Sequence, residues 1–561
     1  MNQFGWVPSF ATLVITVLLP VLNAVNISEP NRTTQLYGQD FLVAVPLTTG
    51  LPEEGSFLQI ACISCLSSTT TGTGTINLLS GNFSDSFTLD AAPPIISLSL
   101  HISALEPLAT NTTPAIFNIT ADVNITVSVI VKVGGSLSAF TAIPSASLDK
   151  YYLVTSPYMH EDHLSELTVV AIQPDTSFQF RPNINVTVRD HEDIPVDANF
   201  HLGTGGWLEY QTRRSFMGGH FHSEMPMLGI VGTHLTSHEL SWVQSLDQMF
   251  PLPSLGTRYT AVPLNSMDIG NIFLVVAIWK NTDITWYSGR HSTGNYQHGN
   301  TTLNNGQIYE IAIGKNQIGY IWGSKPFLLL HYIELGSIVL DTALVTVPPA
   351  EQFTKQAFIF STMYTNSPEV SNYISVMAPC EYFDEILLTP IPTKGSALKF
   401  AERPAIIDGD LCGAIRPLES GEYMIRPSPD FPDAVYSAIL YGNSDRGVFS
   451  YILASELYQV TCSVNNSQVH LCTEVIRPSL TTTAASTIET STAPNKDKNI
   501  SSGTVIGAVL AALSVTVGLA IVGYCVYRYL RVHHWRRLDE SEYMEDNPLR
   551  MQSITDGQST F

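Results

Sequence analysis

The sequence predicts an all-β fold of four related, sandwich-like repeat units of about 100–110 residues each, followed by a stalk and one transmembrane α-helix. Three observations predict it. Apolar residues alternate with a period of two, a strand motif returns at an offset of 106 residues, and glycosylation sequons fall on one side of a single long apolar run.

The composition narrows the class first. Of 561 residues, 14% are charged and 44% hydrophobic, with a formal net charge of −22. That is too apolar for a disordered acidic chain and lacks the basic face of a nucleic-acid binder, so no nucleic-acid partner is expected. The 23 Tyr and 24 Phe favour strands, and 37 Gly with 33 Pro fit frequent turns.

The first element, residues 1–24, reads as a secretory signal: an apolar run from Phe10 to Leu22 ends at Leu22-Asn23-Ala24. The β units follow at 35–149, 150–256, 257–355 and 356–460. Their repeat is clearest where Val169-Val170-Ala171-Ile172 falls on Val275-Val276-Ala277-Ile278 and Thr176 on Thr282. Asn372-Tyr-Ile-Ser-Val-Met-Ala378 and Leu58-Gln-Ile-Ala-Cys-Ile63 extend the pattern to the outer units. A run apolar at every position predicts an interior strand covered on both faces. After it, Phe178 and Phe180 alternate with Ser177 and Gln179, and Ile284 and Trp286 with Asp283 and Thr285, the signature of a half-buried antiparallel strand. Turn signals at Gln-Pro-Asp and Lys-Asn-Thr separate the two. Sandwich modules in a string and a closed, propeller-like arrangement both fit, because pairing between units leaves no trace in the pattern.

A Cys-containing segment, 461–476, precedes a stalk at 477–502 in which Thr, Ser, Ala and Pro dominate. With little to bury, the stalk cannot offset its chain entropy by packing, and it reads as O-glycosylated. Residues 503–527 form an uncharged run of 25 residues. As a helix this spans about 37 Å, enough to cross the hydrocarbon core. Arg528, Arg531, Arg536 and Arg537 follow at once and place the tail, 528–561, in the cytoplasm. The expected location is therefore the plasma membrane, single-pass, with an extracellular N-terminus. The sequons at Asn26, Asn31, Asn82, Asn111, Asn118, Asn124, Asn185, Asn300, Asn465 and Asn499 all precede the apolar run.

Six of seven cysteines are also on the outer side: Cys62, Cys65, Cys380, Cys412, Cys462 and Cys472. Fifteen connectivities exist for six cysteines. Short spacing favours Cys462–Cys472 and Cys380–Cys412. Cys62-x-x-Cys65 fits a redox motif or half a zinc site, but with no second such pair in a secreted chain a local disulfide fits better.

At this point the residues resemble a known family. Leu255-Gly-Thr-Arg-Tyr259, the Val-Val-Ala…Thr strands, Gly306-Gln-Ile-Tyr-Glu310, Gly323-Ser-Lys-Pro326, Pro348-Pro-Ala-Glu-Gln-Phe353 and Ser241-Trp-Val-Gln-Ser-Leu-Asp-Gln-Met-Phe-Pro251 are similar to the N-terminal domain of IgG Fc-binding protein. The likeness covers about residues 35–455 and is strongest in the two central units. It implies an extracellular binding module. The matched residues are strand and turn determinants, so they imply fold and not ligand. The cysteines that members often carry before the Ser241 stretch are missing, and a stalk stands where long members continue into Cys-rich domains.

Catalytic and metal chemistry find little footing. No Gly-x-Ser-x-Gly, phosphate loop or His-Glu-x-x-His occurs. His220 and His222, with His234 and His238 nearby, have strand spacing for a shared ion. In the sister unit, however, His220 aligns with Tyr320 and His222 with Trp322, which marks packing positions. Acidic runs at Glu161-Asp162 and His191-Glu192-Asp193 read as solvated loops. No cofactor, metal or catalytic residue is expected, and the chain is not expected to be an enzyme. The expected function is recognition or adhesion, with an extracellular protein or glycan as partner; the alternative is a passive surface coat or mucus anchor. In the tail, Tyr543 among carboxylates fits a phosphotyrosine reader's ligand, and Ser559-Thr560-Phe561 fits a PDZ-type groove. Cys525, at the inner edge of the span, is placed for palmitoylation. Small residues at Gly503, Gly507 and Ala511, and at Ser514 and Gly518, line one helix face and suit a homodimer.

Overall fold

The computed structural model describes residues between 35 and 475, with interruptions of which 47–55, 100–113, 189–198, 236–243 and 401–409 are the longest. The predicted signal, stalk, span and tail lie outside the described residues, and so do Cys462, Cys472, Cys525, Tyr543, Ser559 and Phe561. Among the described residues no helix is long and apolar enough to cross a membrane. The chain divides into two units, Met1–Ser479 and Leu480–Phe561, and every described residue belongs to the first.

The described chain is all-β, as the alternation predicts, and its strands fall into four successive stretches. The first holds β1 (Gly38–Val45), β2 (Phe57–Cys62), β3 (Gly72–Leu78), β4 (Ser84–Leu89), β5 (Ile95–Ser99), β6 (Ala115–Val133) and β7 (Ser136–Thr141). The second holds β8 (Tyr151–Leu153), β9 (His163–Ala171), β10 (Thr176–Arg181), β11 (Thr187–Val188) and β12 (Asn199–Leu202). It ends with β13 (Trp207–Thr212), β14 (His220–Ser223), β15 (Met227–Leu235) and β16 (Gln244–Gln248). The third holds β17 (Gly256–Ala261), β18 (Ile269–Ala277), β19 (Thr282–Gly289), β20 (Tyr296–Leu303), β21 (Ile308–Ala312), β22 (Ile318–Leu335) and β23 (Thr342–Thr346). The fourth holds β24 (Phe358–Ser361), β25 (Ser371–Pro379), β26 (Ile386–Ile391), β27 (Leu411–Leu418), β28 (Glu422–Pro427), β29 (Ser437–Asn443) and β30 (Val448–Ala454).

The first and third stretches have one topology. Order β20-β19-β22-β18-β21, with β17 and β23 also on β22, repeats β4-β3-β6-β2-β5 with β1 and β7 on β6. The long central strand serves two layers. The first half of β22 pairs with β17 and β19, the second with β18 and β23. The change of layer falls at Gly323–Phe327, where a Cβ on Gly323 would lie 2.7 Å from the Phe327 ring and 2.8 Å from the Lys325 carbonyl. In the second and fourth stretches the strand is cut at the same place: β14 and β15 are separated by Glu224–Pro226, and β28 and β29 lie in different sheets. A strand that changes sheets at a bend is how two packed layers share one chain.

The interior-strand expectation holds. β9 lies between β13 and β15, β18 between β21 and β22, and Val169, Val170, Val275 and Val276 are fully buried. Buried tyrosines pin the layers together. Tyr152 Oη donates to the Met227 carbonyl at 2.7 Å and accepts from Asp149 N at 2.8 Å. Tyr259 repeats this with the Phe327 carbonyl and with Gly256 N.

The last strands of the stretches meet. β7 touches β16 and β30, and β23 touches the same two, so the four form a closed cycle and not a string. All residues of β7, β23 and β30 are buried. Hydrogen bonds cross each junction. Ile143 N donates to Gln248 Oε1 at 3.0 Å, and Thr346 N and Oγ1 both donate to Asp247 Oδ2 at 3.0 Å. Glu456 N donates to the Gln352 carbonyl at 2.8 Å, Thr141 Oγ1 donates to the Ile452 carbonyl, and Gln35 pairs with Glu456. Cys62–Cys65 and Cys380–Cys412 are disulfide-bonded, with Cα–Cα separations of 5.5 and 4.8 Å. The first settles the C-x-x-C as a local bridge.

Candidate functional site: an exposed aromatic rim

Two turns repeat at one end of the central stretches. Between β9 and β10, Asp175 adopts φ 54°; between β18 and β19, Asn281 does the same. Asp and Asn tolerate this left-handed conformation better than other L-residues. Beside each, a glycine of positive φ closes the neighbouring turn, Gly205 at 69° and Gly306 at 74°, and its N–H donates to the carbonyl of Ala171 or Ala277 at 2.8 Å. Threonines lock both turns: Thr176 Oγ1 donates to the Gln173 carbonyl and Thr282 Oγ1 to that of Trp279, each at 2.8 Å.

What this frame presents differs between stretches. Where the second has Gln173, the third has Trp279, 51% exposed. Ile308, at the start of β21, is 41% exposed. Asn304 Oδ1 accepts from Asn281 N at 3.2 Å, and the next residue, Asn305, accepts through Oδ1 from His220 Nε2 at 2.7 Å. Two positions along β14, His222 stacks on Tyr151 with ring centroids 4.4 Å apart; Tyr151 is 48% exposed. Tyr151, His222, His220, Asn305, Asn281 and Trp279 thus form a continuous rim across two stretches. Lys280 and Lys325 adjoin it, Lys325 Nζ donating to the Lys280 carbonyl.

This places the histidines. His220 and His222 share a face as their spacing predicts, but one is spent on Asn305 and the other on Tyr151. Their alignment with Tyr320 and Trp322 is structural: His222 pairs across to Gln179 and Tyr151, and Trp322 to Thr285 and Arg258, at matching strands. His234 lies opposite Gln244 in β15, and His238 is outside the described residues. Among the described residues no three His, Cys, Asp or Glu side chains cluster as a metal site would. Of the sequons, Asn124 and Asn300 are exposed, Asn118 is half-buried, and Asn465 lies on the short strand Val464–Asn465. Asn26, Asn31, Asn82, Asn111, Asn185 and Asn499 are outside the described residues. Neither Trp279 nor Ile308 stands out in the apolar pattern of the sequence. The contrast of Trp279 with Gln173 in the repeat was the available signal.

Residues 138–397 match the family model described as IgGFc binding protein. That stretch, 260 of the 561 residues, is similar to this family. The match runs from β7 past β26, so it contains the whole rim. A comparison with curated proteins found no match. Among solved structures, one described as the crystal structure of a tetra-tandem repeat in the extending region of a large adhesion protein aligns at 12% identity over 74% of this chain and 98% of that one. Its TM-score of 0.09 is too low to relate the two folds.

Proposed function

We propose that this is a cell-surface recognition or adhesion glycoprotein, in which four related β units present binding turns outward from a stalk and a single membrane span. The observation that carries the reading is the rim. A tryptophan on a turn and an isoleucine at the start of β21 stand exposed on a rigid, buried frame, beside a stacked Tyr–His pair. Loops on a rigid scaffold are where binding residues concentrate, and exposed Trp and Tyr are the side chains that most often dominate contact energy. The match to the IgGFc binding protein family supports an extracellular binding role. The ligand class is an extracellular protein or glycan, and the function is binding and not catalysis. On the inner side, Tyr543 and Phe561 are proposed to meet phosphotyrosine-reading and PDZ-type partners, gathered by a dimer of spans.

The test is a soluble fragment, residues 25–476, applied to cell surfaces and mucus. Saturable binding is expected, and Trp279→Ala with Ile308→Ser should weaken it by about tenfold or more. If enzymatic deglycosylation abolishes the contact and the double variant leaves it intact, the protein is a passive coat instead.

A further inference from the structure

The outer face of the sheet formed by β17, β22, β19 and β20 is aromatic. Cross-strand partners share a face, and the register sets Asn300, Thr285, Trp322 and Arg258 in one row. The next row holds His298, Tyr287 and Tyr320. Tyr287 stacks on Trp322 at 5.3 Å and 12°, and on His298 at 5.8 Å and 27°; Tyr320 leans on Trp322 at 5.3 Å. The opposite face is different. There Trp286 lies against Gly299, where a Cβ would sit 2.6 Å from the indole nitrogen. The outer rings are therefore not core. Tyr287, Tyr320 and Trp322 are half-buried, His298 and Asn300 are exposed, and the Arg258 side chain is 47% exposed.

We infer that an N-linked glycan on Asn300 folds back across this face and covers Tyr287 and Trp322. The inference rests on the extracellular reading above. Asn300-Thr301-Thr302 is a sequon on the edge strand β20, which has β19 on one side only. In the modification, Asn300 Nδ2 attacks the anomeric carbon of a lipid-diphosphate-linked oligosaccharide. The C–N bond forms, the C–O bond to the diphosphate breaks, the lipid diphosphate leaves, and the amide gives up one proton. Trp322 lies two strands from Asn300, about 10 Å away, within the span of the first two sugars. Sugar rings carry a face of C–H groups that packs on flat aromatic rings, while their hydroxyls suit Thr285 and Arg258 at the margin. Attachment makes the contact intramolecular and so raises its effective concentration over any free ligand. The sister face offers a contrast. The residue at the matching register of β12 is Asn199, followed by Phe200-His201, which is no sequon. The Tyr151–His222 pair on that face thus stays open, and of the two central stretches only the third is covered.

The experiment uses the full chain, made in secretory cells and extracted in mild detergent. Peptide mass spectrometry reads occupancy at every sequon, and hydroxyl-radical footprinting reads Tyr287, Trp322 and Tyr151 before and after native enzymatic removal of N-glycans. Asn300 is expected to be occupied, and labelling of Tyr287 and Trp322 to rise severalfold on removal while Tyr151 does not change. Asn300→Gln should give the higher labelling without any enzyme. An occupied Asn300 with labelling of Tyr287 and Trp322 unmoved by removal overturns the inference, as does an empty Asn300 beside occupied sequons elsewhere. Absence of glycan at every sequon overturns the extracellular reading itself.

Discussion

His331 shows how far a side chain's environment sets its chemistry. It is fully buried between Phe273, whose ring stacks on it at 4.2 Å, and Tyr441 of the fourth stretch, whose hydroxyl lies 3.2 Å from Nδ1; Nε2 donates to Asn271 Oδ1 at 2.8 Å. Burial pushes its pKa down from 6.5 to about 3. The unfolded chain binds a proton below pH 6.5 that the folded one refuses. The stabilisation is therefore present above 6.5 and is lost as pH falls toward 3, at up to about 1.4 kcal/mol per pH unit. Urea midpoints should fall across this window, and His331→Gln should flatten that part of the profile. Tyr259 and Tyr152 make a second prediction at this scale. Each hydroxyl both donates and accepts in the interior, so Tyr259→Phe and Tyr152→Phe should each cost about 1–2 kcal/mol, read as a lower urea midpoint with unchanged slope.

Between elements, the link from β16 to β23 titrates in the opposite sense. Burial raises Asp247 from 3.8 to about 7, against the lowering effect of the two bonds from Thr346. Between these values the folded state holds a proton that the unfolded state has lost, so this group's contribution falls as pH rises from about 4 to 7. Asp247→Asn removes that loss. Its urea midpoint should climb more steeply with pH over the window than that of the parent, whatever the absolute cost of the substitution. The same link marks the boundary of what the sequence disclosed. The strands at Val169–Ala171 and Val275–Ala277 were legible because apolar runs have no other economical place, and the paired turns because Asp175 and Asn281 fit a backbone that few residues tolerate. The inner strands were not. Ser136, Ser138, Ser245, Asp247, Thr342 and Thr346 are polar yet buried, and Asp247 takes its two bonds from Thr346, 99 residues away, so no local pattern reports them. The rim was half-legible: its histidines stood out as candidates, while Trp279 emerged only from its exposure.

For the whole molecule, the cycle of β7, β16, β23 and β30 makes the stretches interdependent. Deleting residues 356–457 would bare faces of β7 and β23 that are now fully buried. The shortened chain should self-associate in size-exclusion chromatography and be cut by protease within 136–141 and 342–346, sites closed in the parent. The glycan-covered face of the third stretch and the open face of the second would then differ in behaviour: the first should stay protected as long as Asn300 carries its sugar.

The pairing of Gln35 with Glu456 has a mechanical meaning. Gln35, ahead of β1, and Glu456, just after β30, meet at one seam, beside the bond from Glu456 N to the Gln352 carbonyl. A pull applied through the segment beyond residue 457 meets the pairing of Val460–Thr461 with Glu474–Val475 and then this seam before it reaches the sheets that hold Trp279 and Tyr151. These backbone bonds would yield in sequence, like a zip, while the longer ladders of the sheets bear load in shear. Tension on a held ligand would thus be spent at the clasp, and the rim that grips it would keep its shape.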